Sequence, residues 1–367
     1  MSGKILIRQV DRSDVDIIVA FLEKHWRAGH VFVTRPKLLE WQHLDPDDPT
    51  KLTFLTAFRE GEEKDILALL GFMPYRRFDL NLNNTGLSLA IWKVRSEVAP
   101  PGLGLQLLKS LVNTKNPEIV LAVGISEMVK PIYKMLGYHV GVMHHAALPV
   151  AKSGYCLLRQ FDSPYVHQER AQSSDTGKAD SMVMLSRIHD MERVVASLDR
   201  LGRLRAPVKS ARYIKERFLN HPIYNYHILA ISEGGLKGVI IAREVFATGS
   251  SVLRIVDMIG DDDVLICSAH LLREYADGLG CEYIDVVQYG IDVGALHSVG
   301  FIDKKMTPAL VIPNYFEPLS LVNIEVPFAF RREGDLQVRL FRADSDQDRP
   351  NLTENVPEHF RLGYPNE

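Results

Sequence analysis

The stretch from Gly86 to Val112, GLSLAIWKVRSEVAPPGLGLQLLKSLV, predicts a strand, a glycine turn and a helix in direct succession. Apolar residues alternate along the first part up to Ile91 and then resume at Trp92, so their phase shifts by one residue. Because side chains in a strand alternate with a period of two, such a shift indicates a β-bulge. The stretch therefore predicts a bulged strand that leads directly into a helix.

The turn APPGLGL, residues 99–105, is followed by leucines at helical spacing. Free backbone N–H groups and the helix dipole favour an anion such as a pyrophosphate at a helix N-terminus. Gly102 and Gly104 would let that ligand approach the backbone closely, because neither has a side chain. A glycine turn after a strand is also the pattern of an ordinary turn, so the residues that follow it are needed to decide between the two.

Ile119–Ile125 predicts a buried strand, and SEMVKPIYKMLGYHVGVM follows it. Together with the glycine turn, these residues resemble the GCN5-related N-acetyltransferase (GNAT) superfamily. The coenzyme A loop of that family has the pattern Arg/Gln-x-x-Gly-x-Gly/Ala at the end of a bulged fourth strand. The matching hexad here is APPGLG, which keeps both glycines and has Ala99 where the family has Arg or Gln.

The resemblance implies that acetyl-CoA or another acyl-CoA binds at this loop as a co-substrate, without a metal. Pro100 and Pro101 have no N–H group to donate, so the pyrophosphate would depend on the other amides of the loop. The expected coenzyme contacts are Val94, Ala99, Gly102, Leu103, Gly104, Leu105 and Ser126.

A second motif of the family, Asn-x-x-Ala-x-x-x-Tyr-x-x-x-Gly-Phe, matches Ser126, Val129, Tyr133, Gly137 and Tyr138. The match implies that Tyr133 is the catalytic residue whose hydroxyl protonates the departing CoA thiolate. A phenol, with an ordinary pKa of about 10, can act as a general acid toward a thiolate. A tyrosine buried in the core is the alternative that the sequence leaves open.

Four residues are candidates for the acceptor side of the site. His25 and His30 lie in HWRAGH, where the first helices of the family form the lid of the acceptor site, and His145 follows the sixth strand. Asp257 interrupts the apolar run IVDMI, so it is either a satisfied buried carboxylate or a catalytic base. No carboxylate or cysteine lies at a suitable spacing from His25 and His30, so we predict no metal site.

The two halves of the chain repeat one order of elements: a helix, an apolar hairpin, a long strand, a helix, a short strand and a glycine–aromatic pair. Asp261–Asp263 replaces the glycine loop in the second half, and Leu296 replaces the tyrosine. Three carboxylates would repel a pyrophosphate. We therefore predict an α/β protein (an α+β mixed sheet) with two tandem GNAT-like folds, of which the first binds the coenzyme.

The expected domains are an N-terminal domain over 1–155, a linker over 156–180 and a degenerate second domain over 181–317. A C-terminal segment over 318–367 completes the chain. In it, LVNIEVPFAF and DLQVRLFRAD predict a β-hairpin, followed by an irregular tail.

The composition is that of an ordinary globular protein. The chain has 367 residues, of which 46% are hydrophobic and 24% are charged, and this length favours two domains. A net charge of −3 gives no general attraction to nucleic acid or to an anionic membrane. The chain has three cysteines without metal-ligand spacing and no apolar run of the roughly 20 residues that span a bilayer. These features predict a cytoplasmic protein.

Residues and resemblance together predict an N-acyltransferase that acts on a small amine. An amino sugar, free or nucleotide-linked, is the first candidate, by a resemblance to GNAT-type proteins of bacterial polysaccharide biosynthesis. One alternative is an aminoacyl-tRNA-dependent transferase of the Fem type, for which only the basic run Arg200–Arg217 would supply positive charge. The other is a non-catalytic binding module whose coenzyme loop has decayed. The sequence indicates no oligomeric state.

Overall fold

The computed structural model describes residues 4–82, 86–150, 154–159, 183–247, 249–313 and 321–349. Apart from residues 156–159, the predicted linker lies outside these ranges, as does the tail beyond residue 349. Contacts divide the chain into two compact units. The first unit consists of 1–141, 327–335 and 344–367, and the second consists of 142–326 and 336–343. None of the helices in the described ranges has the length and apolar character needed to cross a bilayer.

The first unit is built on a mixed sheet of seven strands. They are β1 (Ile5–Asp11), β2 (Lys51–Arg59), β3 (Ala68–Pro74), β4 (Leu87–Val94), β5 (Ile119–Val123), β6 (His139–Val142) and β13 (Pro327–Arg332). Their order in the sheet is β1-β2-β3-β4-β5-β13-β6. Its helices are α1 (Val15–Phe21), α2 (Val31–Thr34), α3 (Pro36–His43), α4 (Leu103–Lys115) and α5 (Lys130–Met135).

Strand β4 contains the bulge that the sequence predicts. The pairing of β3 with β4 shifts register between Leu70 and Phe72, so β4 has one extra residue between Leu89 and Trp92. Strands β4 and β5 run parallel, and their pairing ends at Leu89 and Ala122. The leucines of α4 pack on the sheet in the core of this unit. The bulge thus lies where β4 and β5 stop pairing, in the strand that leads to the glycine turn.

The second unit repeats this topology. Its strands are β7 (His144–Pro149), β8 (Met184–Arg187), β9 (His227–Ser232), β10 (Leu236–Ala247), β11 (Ser250–Gly260), β12 (Tyr283–Tyr289) and β14 (Leu340–Phe341). Its helices are α6 (Val195–Leu201), α7 (Ala211–Ile214), α8 (Val264–Cys267), α9 (Ala269–Gly278) and α10 (Val293–Ser298). Strands β8 to β11 are antiparallel neighbours, and β12 runs parallel to β11. A register shift between Ile241 and Ala242 gives β11 a bulge of its own, which confirms the predicted duplication.

Each sheet takes one strand from the other half of the chain. Strand β13, near the C-terminus, pairs antiparallel with β5 in the first unit. Strand β7 follows β6 directly in the chain and pairs antiparallel with β12 in the second unit. Residues 142–155, expected in the N-terminal domain, begin the second unit instead.

The predicted C-terminal hairpin is therefore wrong. Strands β13 and β14 both form, but β13 joins the first sheet and β14 pairs with β12 in the second. Alternation of apolar residues identifies a strand and its buried face, whereas the neighbouring strand depends on which edge the rest of the fold leaves unpaired. Phe328 and Ala329 of β13 are fully buried against that edge of the first sheet.

This exchange predicts that the N-terminal half does not fold alone. A chain that ends at residue 155 would lack β13 and leave the edge of β5 and part of the core exposed. We expect it to aggregate or to unfold without cooperativity, while the full chain gives a cooperative transition in thermal denaturation followed by circular dichroism. A sharp transition in the truncated chain would contradict the exchange.

Candidate functional site

The glycine turn lies between the end of β4 and the start of α4. Gly102 precedes the helix with φ of +80°, a left-handed conformation that glycine adopts without strain. A Cβ atom on Gly104 would lie 3.0 Å from Nε1 of Trp92 and 3.0 Å from Cγ2 of Val94. Gly102 therefore forms the turn, and Gly104 lets the first turn of α4 pack closely on β4.

Fewer amides of this turn are available to an anion than the sequence suggests. The Ala99 amide donates to the carbonyl of Arg95 at 2.9 Å, and the Leu103 amide donates to the carbonyl of Pro100 at 3.3 Å. These two expected donors are therefore engaged within the loop. The amides of Gly104 and Leu105 lie in the first turn of α4, where a helix has no internal acceptor for them, and no side chain caps this helix.

The loop that precedes the turn is held by two arginines. Arg95 bonds the carboxylate of Asp65 and donates to the carbonyl of Ile66 at 3.1 Å. Arg59 donates to the carbonyl of Val98 at 3.0 Å. The candidate contact Ser126 is exposed beyond the end of β5, so it lies near the same end of the sheet.

Tyr133 is buried beneath this part of the sheet. Its ring centroid lies 5.9 Å from that of Trp92 and 5.1 Å from that of Tyr138, and it packs in the same core as Leu103. Burial, reinforced by Tyr138, raises the pKa of Tyr133, so the phenol retains its proton at physiological pH. It makes no hydrogen bond to a described residue. These contacts fit both a core tyrosine and a proton donor.

The two histidines of HWRAGH lie in different surroundings. Burial, followed by the positive charge of Arg95, lowers the pKa of His25, so this histidine is neutral at pH 7. His30 is buried, and its Nδ1 accepts a hydrogen bond from the amide of Phe32 at 3.2 Å. Burial, together with the charge of Arg349, lowers the pKa of His30 to about 3.

His43 is a buried histidine of α3 that the sequence analysis did not single out. Its Nδ1 lies 2.9 Å from Oγ1 of Thr53, and its ring centroid is 4.2 Å from that of Phe54. Burial, followed by the charge of Arg349, lowers its pKa to about 3. Its place in the short helical pattern RPKLLEWQHL gave no signal beyond that of an ordinary helix residue.

The C-terminal segment 344–349 packs within the first unit, which no local pattern indicates. The Tyr75 hydroxyl donates to Asp344 Oδ1 at 2.9 Å. Gln347 donates from Nε2 to the carbonyl of Val123 at 2.8 Å, at the end of β5. Arg349 donates to Gln42 Oε1 at 2.8 Å and lies 4.9 Å above the Phe32 ring. A segment from the end of the sequence thus contacts α2, α3 and β5.

In the second unit, a strand of the same unit occupies the edge where β11 and β12 stop pairing. Gln288 of β12 pairs with His144 of β7 on one edge and with Phe341 of β14 on the other. Strand β14 therefore lies on the edge that faces β11, beyond the point where β11 and β12 stop pairing. Arg339, just before β14, donates to the carbonyl of Gly260 at 3.0 Å. An extended ligand cannot pair with an edge that is already occupied.

The other two acceptor-side candidates, His145 and Asp257, lie in the second unit and bind charged side chains there. His145 Nε2 lies 2.9 Å from Asp285 Oδ2, and Arg254 holds the same carboxylate. Asp257 Oδ1 accepts from Lys209 Nζ at 2.6 Å, and both side chains are almost fully buried. These contacts favour a satisfied buried carboxylate for Asp257, one of the two possibilities that the sequence left open.

Comparison with solved structures identifies the fold. The GCN5-related N-acetyltransferase of Anabaena variabilis ATCC 29413 is 11% identical, with a TM-score of 0.51 over 90% of this chain and 73% of that one. The GCN5-related N-acetyltransferase of Kribbella flavida is 12% identical, with a TM-score of 0.51 over 90% and 71%. No family model and no curated protein matches the sequence. The chain therefore has the GNAT fold, as predicted.

The buried histidines predict a loss of stability on mild acidification. The pKa values of His30 and His43 are about 3, and that of His227 is about 4, against about 6.5 in an unfolded chain. Folding favours their neutral forms, so this stabilisation is complete above pH 6.5 and is lost as the pH falls toward 4. Each histidine should lower the free energy of unfolding by about 1.4 kcal/mol per pH unit in that window.

Urea denaturation between pH 7 and pH 4.5 measures this slope. We expect His43→Gln to reduce the slope by about 1.4 kcal/mol per pH unit, whatever it does to stability at pH 7. His270→Gln, at an exposed position of α9, is the matched control and should keep the wild-type slope. Equal slopes in wild type and His43→Gln would show that His43 is not held neutral.

Proposed function

We propose that this protein is an acyl-CoA-dependent N-acyltransferase with a single coenzyme site in the first unit. The main support is the turn at Gly102, which follows a bulged strand and starts a helix whose Gly104 and Leu105 amides are free. Such a helix start favours the pyrophosphate of a coenzyme. In the second unit, Asp261–Asp263 stands at the corresponding place and β14 occupies the strand edge. A cytoplasmic location is part of the same proposal.

In this proposal, different residues of the first unit bind the coenzyme and transfer the protons. The free amides of α4 hold the pyrophosphate, and the bulge of β4 separates β4 from β5 so that a thioester can lie against the strand edge. The amine nitrogen attacks the thioester carbon, the C–S bond breaks, and Tyr133 donates its proton to the leaving sulfur. His25 is our candidate for the base that takes the proton of the amine, because its lowered pKa keeps it neutral.

The proposed acceptor is a small amine, with an amino sugar, free or nucleotide-linked, as the first candidate. The region of α2 and α3, which HWRAGH precedes, is our candidate for the acceptor side. A nucleic-acid acceptor is less well supported, because the basic run is partly engaged inside the second unit. Lys209 is bound to Asp257, Arg205 is bound to Asp262, and Arg217 is buried.

A non-catalytic binding module is the second candidate, and two observations favour it. Pro100, Pro101 and the engaged amide of Ala99 leave the loop with few donors. In addition, Gln347 already bonds the Val123 carbonyl at the edge of β5. Absence of acetyl-CoA binding to the wild-type protein, measured by calorimetry, would support this candidate over the first.

Gly104→Glu should abolish coenzyme binding. The new side chain would crowd Trp92 and Val94 and would bring a negative charge to the expected position of the pyrophosphate. Isothermal titration with acetyl-CoA should give one site per chain in the wild type and none in the variant. Gly235→Glu makes the same change at an open turn position of the second unit and should bind normally. Unchanged affinity in Gly104→Glu would refute the coenzyme site.

Tyr133→Phe separates the two roles of this tyrosine. As a general acid, Tyr133 acts in the transition state, so the variant should lower kcat by about 10–10³-fold with little change in acetyl-CoA affinity. If Tyr133 is only a core tyrosine, the variant should leave both turnover and stability nearly unchanged, because its hydroxyl has no partner among the described residues to leave unsatisfied. Measuring kcat and Tm on the same variant decides between them: full activity would remove Tyr133 from the mechanism.

A further inference from the structure

Two histidines and one aspartate converge in the second unit. His144 begins β7, His297 lies in the last turn of α10, and Asp303 follows that helix. The Nε2 atom of His144 lies 2.7 Å from Asp303 Oδ2, and the Nε2 atom of His297 lies 3.0 Å from the same oxygen. One possible ligand atom from each residue lies within 4.8 Å of the other two. Sequence spacing could not reveal this cluster, because His144 is 159 residues away from Asp303.

Backbone hydrogen bonds fix the orientation of the Asp303 carboxylate. Its Oδ1 atom accepts from the amides of Lys305 and Met306, both at 2.8 Å. One carboxylate oxygen is thus held by the backbone, and the other is directed at the two imidazoles.

We propose that His144, His297 and Asp303 form a binding site for a divalent transition-metal ion, with Zn²⁺ as the expected occupant. Two imidazole nitrogens and one carboxylate oxygen are ligands that Zn²⁺ accepts, with water in the fourth position. Tetrahedral bonds of about 2.1 Å place neighbouring ligand atoms about 3.4 Å apart. The two Nε2–Oδ2 distances, 2.7 and 3.0 Å, are slightly shorter than that spacing.

The site has the access that an ion needs. The side chain of Asp303 is 3% exposed, whereas those of His144 and His297 are 15% and 23% exposed. The carboxylate thus lies on the buried side of the cluster, and the imidazoles are partly exposed to solvent. The Nδ1 atom of His144 is buried and has no hydrogen-bond partner among the described residues. Since metal-bound histidines usually donate from this atom, we expect an affinity about 10–100-fold below that of a fully supported site.

The position of the site suggests a structural role. His144 lies on β7, the strand that the first half of the chain contributes to the second sheet. His297 and Asp303 belong to the second half, and Ile302 next to Asp303 forms a bridge with Ala147 of the same strand. A metal ion would therefore link β7 to the rest of the second unit. An ion that binds only the folded state raises stability through its binding free energy.

Titration of the tag-free, chelator-treated full-length protein with Zn²⁺ tests the site. Calorimetry should show one ion per chain, and Zn²⁺ should raise Tm. Co²⁺ in place of Zn²⁺ should produce visible absorption bands of a four-coordinate site, which report the ligand set directly. His297→Gln should weaken binding by at least 10-fold and remove the Tm shift. The exposed His270→Gln is the matched control and should behave as the wild type.

Asp303→Asn keeps an oxygen for the two backbone amides and removes the charge, so it should also lose the ion. If this variant fails to fold, His297→Gln still tests the site. Absence of Zn²⁺ binding in the wild type, or equal binding by wild type and His297→Gln, would overturn the proposal and leave the cluster as a hydrogen-bonded His–Asp–His group. None of these outcomes depends on acetyl-CoA, so the coenzyme proposal stands or falls separately.

Discussion

One extra residue in a central strand of each sheet governs the arrangement of both units. The bulge between Leu89 and Trp92 lies where β4 stops pairing with β5, and the bulge near Val256 lies just beyond the residues of β11 that pair with β12. Backbone groups at the resulting edge need partners, because an unpaired N–H or carbonyl buried away from water is costly. The two units supply different partners: a strand in the second unit and a side-chain amide in the first.

In the second unit, strand β14 and buried ion pairs engage the backbone and charged groups that a ligand-binding site would need. Strand β14 pairs with β12, Asp257 is bound to Lys209, and Asp285 is shared by Arg254 and His145. Breaking such a buried pair leaves an uncompensated charge, so these residues are constrained to remain together. In the first unit, a side-chain amide bonds the β5 edge and the helix amides near Gly104 lack acceptors. A ligand can displace a side chain more easily than a paired strand.

Reciprocal exchange of strands makes the halves interdependent even though each has its own sheet. Strand β13 completes the first sheet, and β7 belongs to the second. The first sheet, which holds the candidate coenzyme site, therefore depends on β13 from the C-terminal part of the chain.

Local patterns were sufficient for much of this protein. The phase shift in GLSLAIWKV predicted the bulge, APPGLGL predicted the turn and helix, and the repeated order of elements predicted two similar folds. These features depend on residues close in sequence, whose hydrophobic periodicity and backbone preferences determine the local secondary structure. Tertiary structure alone decided that β13 and β14 separate, that Gln347 bonds Val123, and that His144 meets Asp303. Such contacts join residues far apart in the chain, and they depend on which strand edges and buried polar groups the finished fold leaves to be satisfied.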